Sequence, residues 1–158
     1  MNPDFSRIRH FAPSEFPEGE LPFTEQLLLE TLDTWREAIG KPIHPSPVKG
    51  ALARPEIAEG SEHAAKGRKS RAVDVFPEGN WFDAWISAVS FNGWGAVGVY
   101  FDTHFQDRPW AMLHLDIRPR GPNGPLLWAR IEKTQYVYPG KNPAERRLFQ
   151  ELLSRGMV

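Results

Sequence analysis

AMLHLDI, Ala111 to Ile117, alternates in the way of a strand with one buried face. Leu113, Leu115 and Ile117 share one face; Met112, His114 and Asp116 share the other. The first is a core face. The second is either solvent-exposed or the lining of a polar site, because a buried histidine and aspartate need partners. Three further short strands fit around it: RAVDVF (71–76), GAVGVYF (95–101), and LLWARI (126–131) or TQYVY (134–138).

Helices flank these strands. After Thr24, a candidate N-cap, Leu28, Leu32, Trp35 and Ile39 form one helical stripe, and Gly40 and Pro42 supply the stop. NWFDAWISAVSFNG predicts a second helix with Phe82, Trp85, Ala88 and Val89 toward the core, ended by Asn92-Gly93. A third starts at Asn142, with Pro143 at its first position and Glu145 completing a near capping box. This order predicts an α+β fold, a small, mainly antiparallel sheet with flanking helices in one domain spanning 1–158.

Composition narrows the chemistry. The 158 residues carry a net charge of −1, which gives no electrostatic reason to bind nucleic acid. No run approaches the roughly 18 apolar residues of a membrane span, so no membrane insertion is expected. MNPDFSRIRHF has no signal-peptide character, so synthesis in the cytoplasm is expected. With no cysteine, disulfides and thiolate zinc sites are excluded, and a metal has to be held by His, Asp or Glu.

Asp74 interrupts the apolar run of RAVDVF, where an inward carboxylate needs an Arg, a Lys or a metal. His63 lies upstream in SEHAAKGRKSR, a loop able to fold back over it. With His114, the three make two imidazoles and one carboxylate, the donor set of a catalytic zinc site with one open position. Trp94 and Trp110 are candidate cleft walls, although large aromatics are more often core. The basic loop from Lys66 to Arg71 and the segment RPRGPNGP read as a solvated loop and a connector.

Ser61, His63, Gly67, Ala72 and Asp74 match in order the motif S-x-H-x-x-G-x-A-x-D. The chain resembles the M15-type zinc D-Ala-D-Ala carboxypeptidases and peptidoglycan endopeptidases, phage endolysins included, which share the hedgehog/DD-peptidase fold. Val97-Gly98-Val99-Tyr100 and Leu113-His114-Leu115-Asp116 are similar to that family's later motifs, as are the front segments Phe11 to Phe16 and Leu32 to Ile43. The resemblance covers about residues 10–120. It implies Zn2+ held by His63, Asp74 and His114, peptidoglycan peptides as partners, and hydrolysis by metal-bound water. It places the site of action at the cell wall, reached by lysis or within a phage particle.

The chain departs from the family at three places. His63 and Asp74 are eleven residues apart rather than seven, the surplus lying in KGRKSR. Ala111 stands where many relatives carry an acidic general base, which leaves Asp116 as the candidate base or as a residue that orients a ligand. HPSPVKGALAR replaces S-G-x-R, so Lys49 or Arg54 is the candidate for binding a substrate carboxylate. A second reading is a catalytically weak or inactive zinc-binding module of the same fold, with a structural or binding role. Oligomeric state is left open.

Overall fold

The computed structural model describes residues 1–157. Helix α1 is Gln26–Ile39, followed by β1 (Ile43–Pro45), β2 (Ala72–Pro77), α2 (Trp81–Ser90), β3 (Ala96–Tyr100), β4 (Met112–Asp116), β5 (Leu126–Glu132), β6 (Gln135–Val137) and α3 (Pro143–Gly156). The strands form one six-stranded sheet in the order β1-β2-β4-β3-β5-β6. Every neighbouring pair is antiparallel except β3–β5. The expected α+β architecture with a mainly antiparallel sheet is therefore what the chain adopts.

Alternation divides the sheet into two faces. Val73, Val75, Val97, Val99, Leu113 and Leu115 point toward the helices and join Leu28, Leu32, Trp35, Ala84, Trp85, Phe149 and Leu152 in one hydrophobic cluster. Leu32 is fully buried, so Leu32→Ala would cost about 2–5 kcal/mol. Trp94, also fully buried, packs edge-on against Trp35 at 6.1 Å and is core rather than cleft wall.

Both LLWARI and TQYVY are strands, and they pair with each other as β5 and β6. The three-residue β1 is an addition to the expected set; it pairs with the end of β2. Thr24 is not the cap of α1. Glu25 takes that place, and Thr24 instead closes the preceding turn, its N–H donating to the Leu21 carbonyl and its hydroxyl to the Glu20 carbonyl, both at 3.0 Å. Gly40 ends α1 in the left-handed region at φ 65°. Asn142 caps α3 as expected, accepting from Glu145 N at 2.9 Å. The Glu145 carboxylate turns to Tyr138 N instead, tying the helix to the end of β6.

The segment RPRGPNGP does more than connect. The Arg120 guanidinium donates to the carbonyls of Val89, Phe91 and Trp94, satisfying carbonyls that the end of α2 leaves free.

Candidate metal centre

The second face of the sheet carries one row of residues across four strands: Asp74 on β2, His114 on β4, Gly98 on β3 and Trp128 on β5. Strand register alone makes Asp74 and His114 direct neighbours. Both are buried, as is Asp116, so this face is not the solvent-exposed one that the sequence also allowed.

His63 reaches the row from the loop between β1 and β2. Ser61 starts the turn, its Oγ accepting from His63 N at 3.2 Å. Arg54 N donates to the His63 carbonyl at 2.8 Å, and Arg71 N to the Glu62 carbonyl at 2.9 Å. Gly67, at φ 76°, provides a left-handed turn open to few side chains. Three of the four basic residues of KGRKSR are spent on backbone, while Lys66 is exposed. Arg68 donates to the carbonyls of Ser61 and Ala64, Lys69 to those of Met1 and Pro22, and Arg71 to that of Ile117. The longer loop thus carries its own fastenings, and the eleven-residue spacing still delivers His63 to Asp74.

The three side chains converge. His63 Nε2 lies 3.2 Å from His114 Nδ1 and 3.3 Å from Asp74 Oδ1, and His114 Nδ1 lies 3.1 Å from the same Asp74 oxygen. Donors around 2.0–2.1 Å from a tetrahedral ion stand about 3.3 Å from one another, so the three separations are close to the edges of that tetrahedron. The donor chemistry, two imidazoles and a carboxylate, also suits zinc.

His114 is oriented from behind. Its Nε2 lies 3.1 Å from Asp116 Oδ2, which leaves Nδ1 as the atom facing Asp74 and His63. A carboxylate that holds the outer nitrogen of a ligating histidine sets its tautomer and ring position. Asp116 is itself held by Arg118, whose Nε lies 2.8 and 2.9 Å from the two carboxylate oxygens and whose Nη2 lies 2.6 Å from Oδ2. Arg118 N adds a fourth contact at 3.1 Å. Of the two roles open to Asp116, this geometry is that of an orienting residue. To accept a proton from water it would have to leave the Arg118 fork.

The electrostatics follow from these contacts. Burial opposes charge on His114, but hydrogen bonds to Asp116 and Asp74 and their negative charges outweigh it, and its pKa rises to about 9. Burial likewise opposes charge on Asp116, but His114 and Arg118 outweigh it and bring the carboxyl down to about 2. Asp74 is held well below the usual carboxylate range: burial works against ionisation, and the charge of His63 with the hydrogen bonds from both histidines prevails.

Two solvent-open hollows adjoin the cluster. One, of about 380 Å³, is lined by Asp74 together with Lys49, Arg54, Tyr100, Asp102 and Arg130. The other, of about 320 Å³, is lined by His63 and His114 together with Arg54, Tyr100, Trp128, Arg130, Tyr136 and Tyr138. Arg54 therefore faces both, its Nε held 3.0 Å from the Gly50 carbonyl, while Lys49 is exposed at the rim of the first. Ala111 is buried in the hydrophobic cluster on the other side of the sheet, so the position of the family's acid is a core position here.

Of the wall residues, Gly98 and Tyr100 belong to the VGVY stretch, while Trp128 and Arg130 carry no motif. Trp128 packs 5.2 Å from the His114 ring and 5.0 Å from Tyr100. It fits only because Gly98 has no side chain: a Cβ there would lie 2.2 Å from the indole. Arg130 stacks over Tyr100 at 4.3 Å and pairs with Asp102 at 2.9 Å. Burial, with the charge of Asp74, raises the Tyr100 pKa well above the ordinary phenol value, so its hydroxyl keeps its proton. A glycine two residues before a tyrosine on one strand face, opposite a tryptophan two before an arginine, is the signal that marks this wall once β3 and β5 are paired. Trp110 lies away from the cluster, stacked with His44 and Phe105. No protein-family model, curated protein or solved structure matches the chain.

Proposed function

We propose that the chain is a zinc-dependent hydrolase of peptide bonds in the stem peptides or cross-links of peptidoglycan. The observation that carries this reading is the convergence of His63 Nε2, Asp74 Oδ1 and His114 Nδ1 at 3.1–3.3 Å, buried, beside an open cleft. Zinc bound there supplies a water of lowered pKa and polarises the reacting carbonyl.

The remaining work falls to the chain's own residues. His63, Asp74 and His114 hold the ion, and Asp116 fixes the ring of His114. Arg54 offers its guanidinium to a substrate carboxylate, with Lys49 as a second, more mobile charge at the rim. The protonated hydroxyl of Tyr100, on the wall common to both hollows, donates a hydrogen bond to substrate. Action at the cell wall, after synthesis in the cytoplasm and release by lysis or carriage on a phage particle, belongs to the same proposal.

One observation favours the second reading, a zinc-binding domain without hydrolytic activity. Ala111 is a core residue, and the oxygens of Asp116 are taken by Arg118 and His114. Digestion of purified peptidoglycan with and without a chelator, with fragments identified by mass, separates the two. Chelator-sensitive release of peptide fragments supports the hydrolase. Bound zinc with no release supports the inactive module.

A further inference from the structure

Glu20, in the turns that precede α1, lines neither hollow beside the candidate ligands, and yet it is buried. Acidic side chains are seldom buried without a partner. The partner here is main chain. One carboxylate oxygen accepts from Gly50 N at 2.6 Å; the other accepts from Leu52 N at 3.0 Å and from Ala53 N at 2.9 Å. These residues lie outside every helix and strand, and both Leu52 and Ala53 are buried. Their N–H groups have no ladder to join, and without Glu20 they would be orphans in the interior.

What this segment carries gives the contact its meaning. Ala51 O accepts from Asp74 N at 2.8 Å, and Arg54 N donates to the His63 carbonyl, also at 2.8 Å. The Arg54 carbonyl accepts from Ala65 N at 3.0 Å, so Arg54 lies paired beside the turn that holds His63. The Arg54 side chain folds back over Gly50, its Nε donating to the Gly50 carbonyl at 3.0 Å. Gly50 stands at φ 85°, and a Cβ there would meet Arg54 Nε at 3.0 Å, so both its backbone and its close neighbour call for glycine. Gly50 is thus held at its N–H by Glu20 and at its carbonyl by Arg54. One short segment touches the main chain of two candidate ligands and aims the guanidinium that faces both hollows.

We infer that Glu20 is a positioning residue of the candidate centre: through segment 50–54 its carboxylate sets where His63 stands relative to Asp74 and where Arg54 points. The inference rests on the zinc-site reading and adds to it a residue outside the donor set. Strand register keeps Asp74 against His114. His63 belongs to no strand, and segment 50–54 is a main-chain bridge from its turn to Asp74.

The test uses the full chain, first metal-free and then loaded with Zn2+ or Co2+. Glu20→Gln keeps the size of the side chain but turns an NH2 group toward donors. In metal-free protein, amide exchange is expected to quicken about tenfold or more at Gly50, Leu52 and Ala53, and with them at Arg54 and Asp74, while Leu113 and Leu115 stay protected. Zinc affinity, read by chelator competition, should fall about tenfold, the lower end for residues that orient ligands. The d–d spectrum of the cobalt form should change shape, which a loss of global stability does not do. Leu32→Ala is the control, because it empties space in the hydrophobic cluster on the other face of the sheet. It should lower the urea midpoint and leave zinc affinity and the cobalt spectrum as in the wild type. If Glu20→Gln does not fold, Glu20→Asp, which keeps both oxygens one methylene short, carries the same readouts with smaller changes in the same sense. Exchange that rises evenly along the chain, or wild-type zinc affinity and cobalt spectrum in the Glu20 variant, overturns the inference. A wild-type chain that takes up neither ion ends the zinc reading, and the exchange pattern alone then decides whether Glu20 holds His63 and Asp74 in place.

Discussion

Nε2 of His114 lies 3.1 Å from a carboxylate oxygen of Asp116, two residues along the same strand face. The imidazole is thereby pinned with Nδ1 toward Asp74. Asp116→Asn is expected to lower zinc affinity about 10–100-fold, the usual effect of losing such a partner. Competition titration against a chromophoric chelator reads it. Unchanged zinc affinity with lost hydrolysis would instead give Asp116 the role of proton acceptor.

The ligand assignment makes a stoichiometric demand. Purified protein should carry about one zinc per chain, and His63→Ala, Asp74→Ala and His114→Ala should each abolish tight binding. Elemental analysis after gel filtration checks it. Retention of the ion by His63→Ala would remove that residue from the set.

In metal-free protein the cluster carries a pH signature. The folded pKa of His114, about 9, lies above the ordinary histidine value of 6.5. Its contribution to stability is thus fully present below about pH 6.5 and disappears as pH rises through about 9. Asp116 acts in the other sense: depressed to about 2, its contribution is present above the ordinary 3.8 and is lost as pH falls through about 2. Urea midpoints of chelator-treated protein should fall between pH 6.5 and 9. A flat profile there would mean that His114 is not charged in the metal-free fold.

Gly98→Ala tests the seating of the wall. The added Cβ would meet the Trp128 indole at 2.2 Å, so the indole or the strand has to move. A loss of about 1–3 kcal/mol is expected, of the size seen when a packed site is overfilled. Displacement of the indole should also appear as a change in tryptophan fluorescence on zinc binding.

Ala111→Glu asks whether an acid at this position reaches the candidate metal centre. Ala111 packs in the core, where an unpaired carboxylate costs several kcal/mol. The variant is expected to lose stability and gain no activity. A rise in kcat would show that the side chain reaches the ligand face.

Strands were the most legible part of the fold, because AMLHLDI, RAVDVF and GAVGVYF each set branched or bulky apolar residues on one face. β1 escaped that reading: in Ile43–Pro45 only three residues pair, and a proline closes the run. Thr24 misled because it closes the short turn before the helix, its N–H donating to the Leu21 carbonyl, one residue ahead of the cap. Within the site, His63, Asp74 and His114 could be picked out because a polar residue in an apolar strand, or a histidine upstream of one, is locally odd. Trp128 and Arg130 are locally ordinary, and Tyr100 is marked only by the VGVY resemblance. The antiparallel pairing of β3 with β4 brings Tyr100 to this face, and only the parallel pairing of β3 with β5, a contact distant in sequence, adds Trp128 and Arg130. The basic loop is solvated at Lys66 to Arg68, as its sequence suggests, but the bonds of Arg68, Lys69 and Arg71 to backbone carbonyls follow no local pattern.

The three candidate ligands are not anchored alike. Asp74 and His114 belong to adjacent central strands, where hydrogen-bonded register keeps them together in any state that preserves the sheet. His63 hangs from a loop fastened by a handful of side-chain and backbone bonds. Such segments open far more often than the sheet beneath them. An ion held at this centre would therefore be expected to leave when the loop from Ser61 to Arg71 lifts. Arg68, which donates to the carbonyls of Ser61 and Ala64, is one of those fastenings: Arg68→Ala is expected to hasten the departure of a bound zinc ion while leaving the donor atoms untouched.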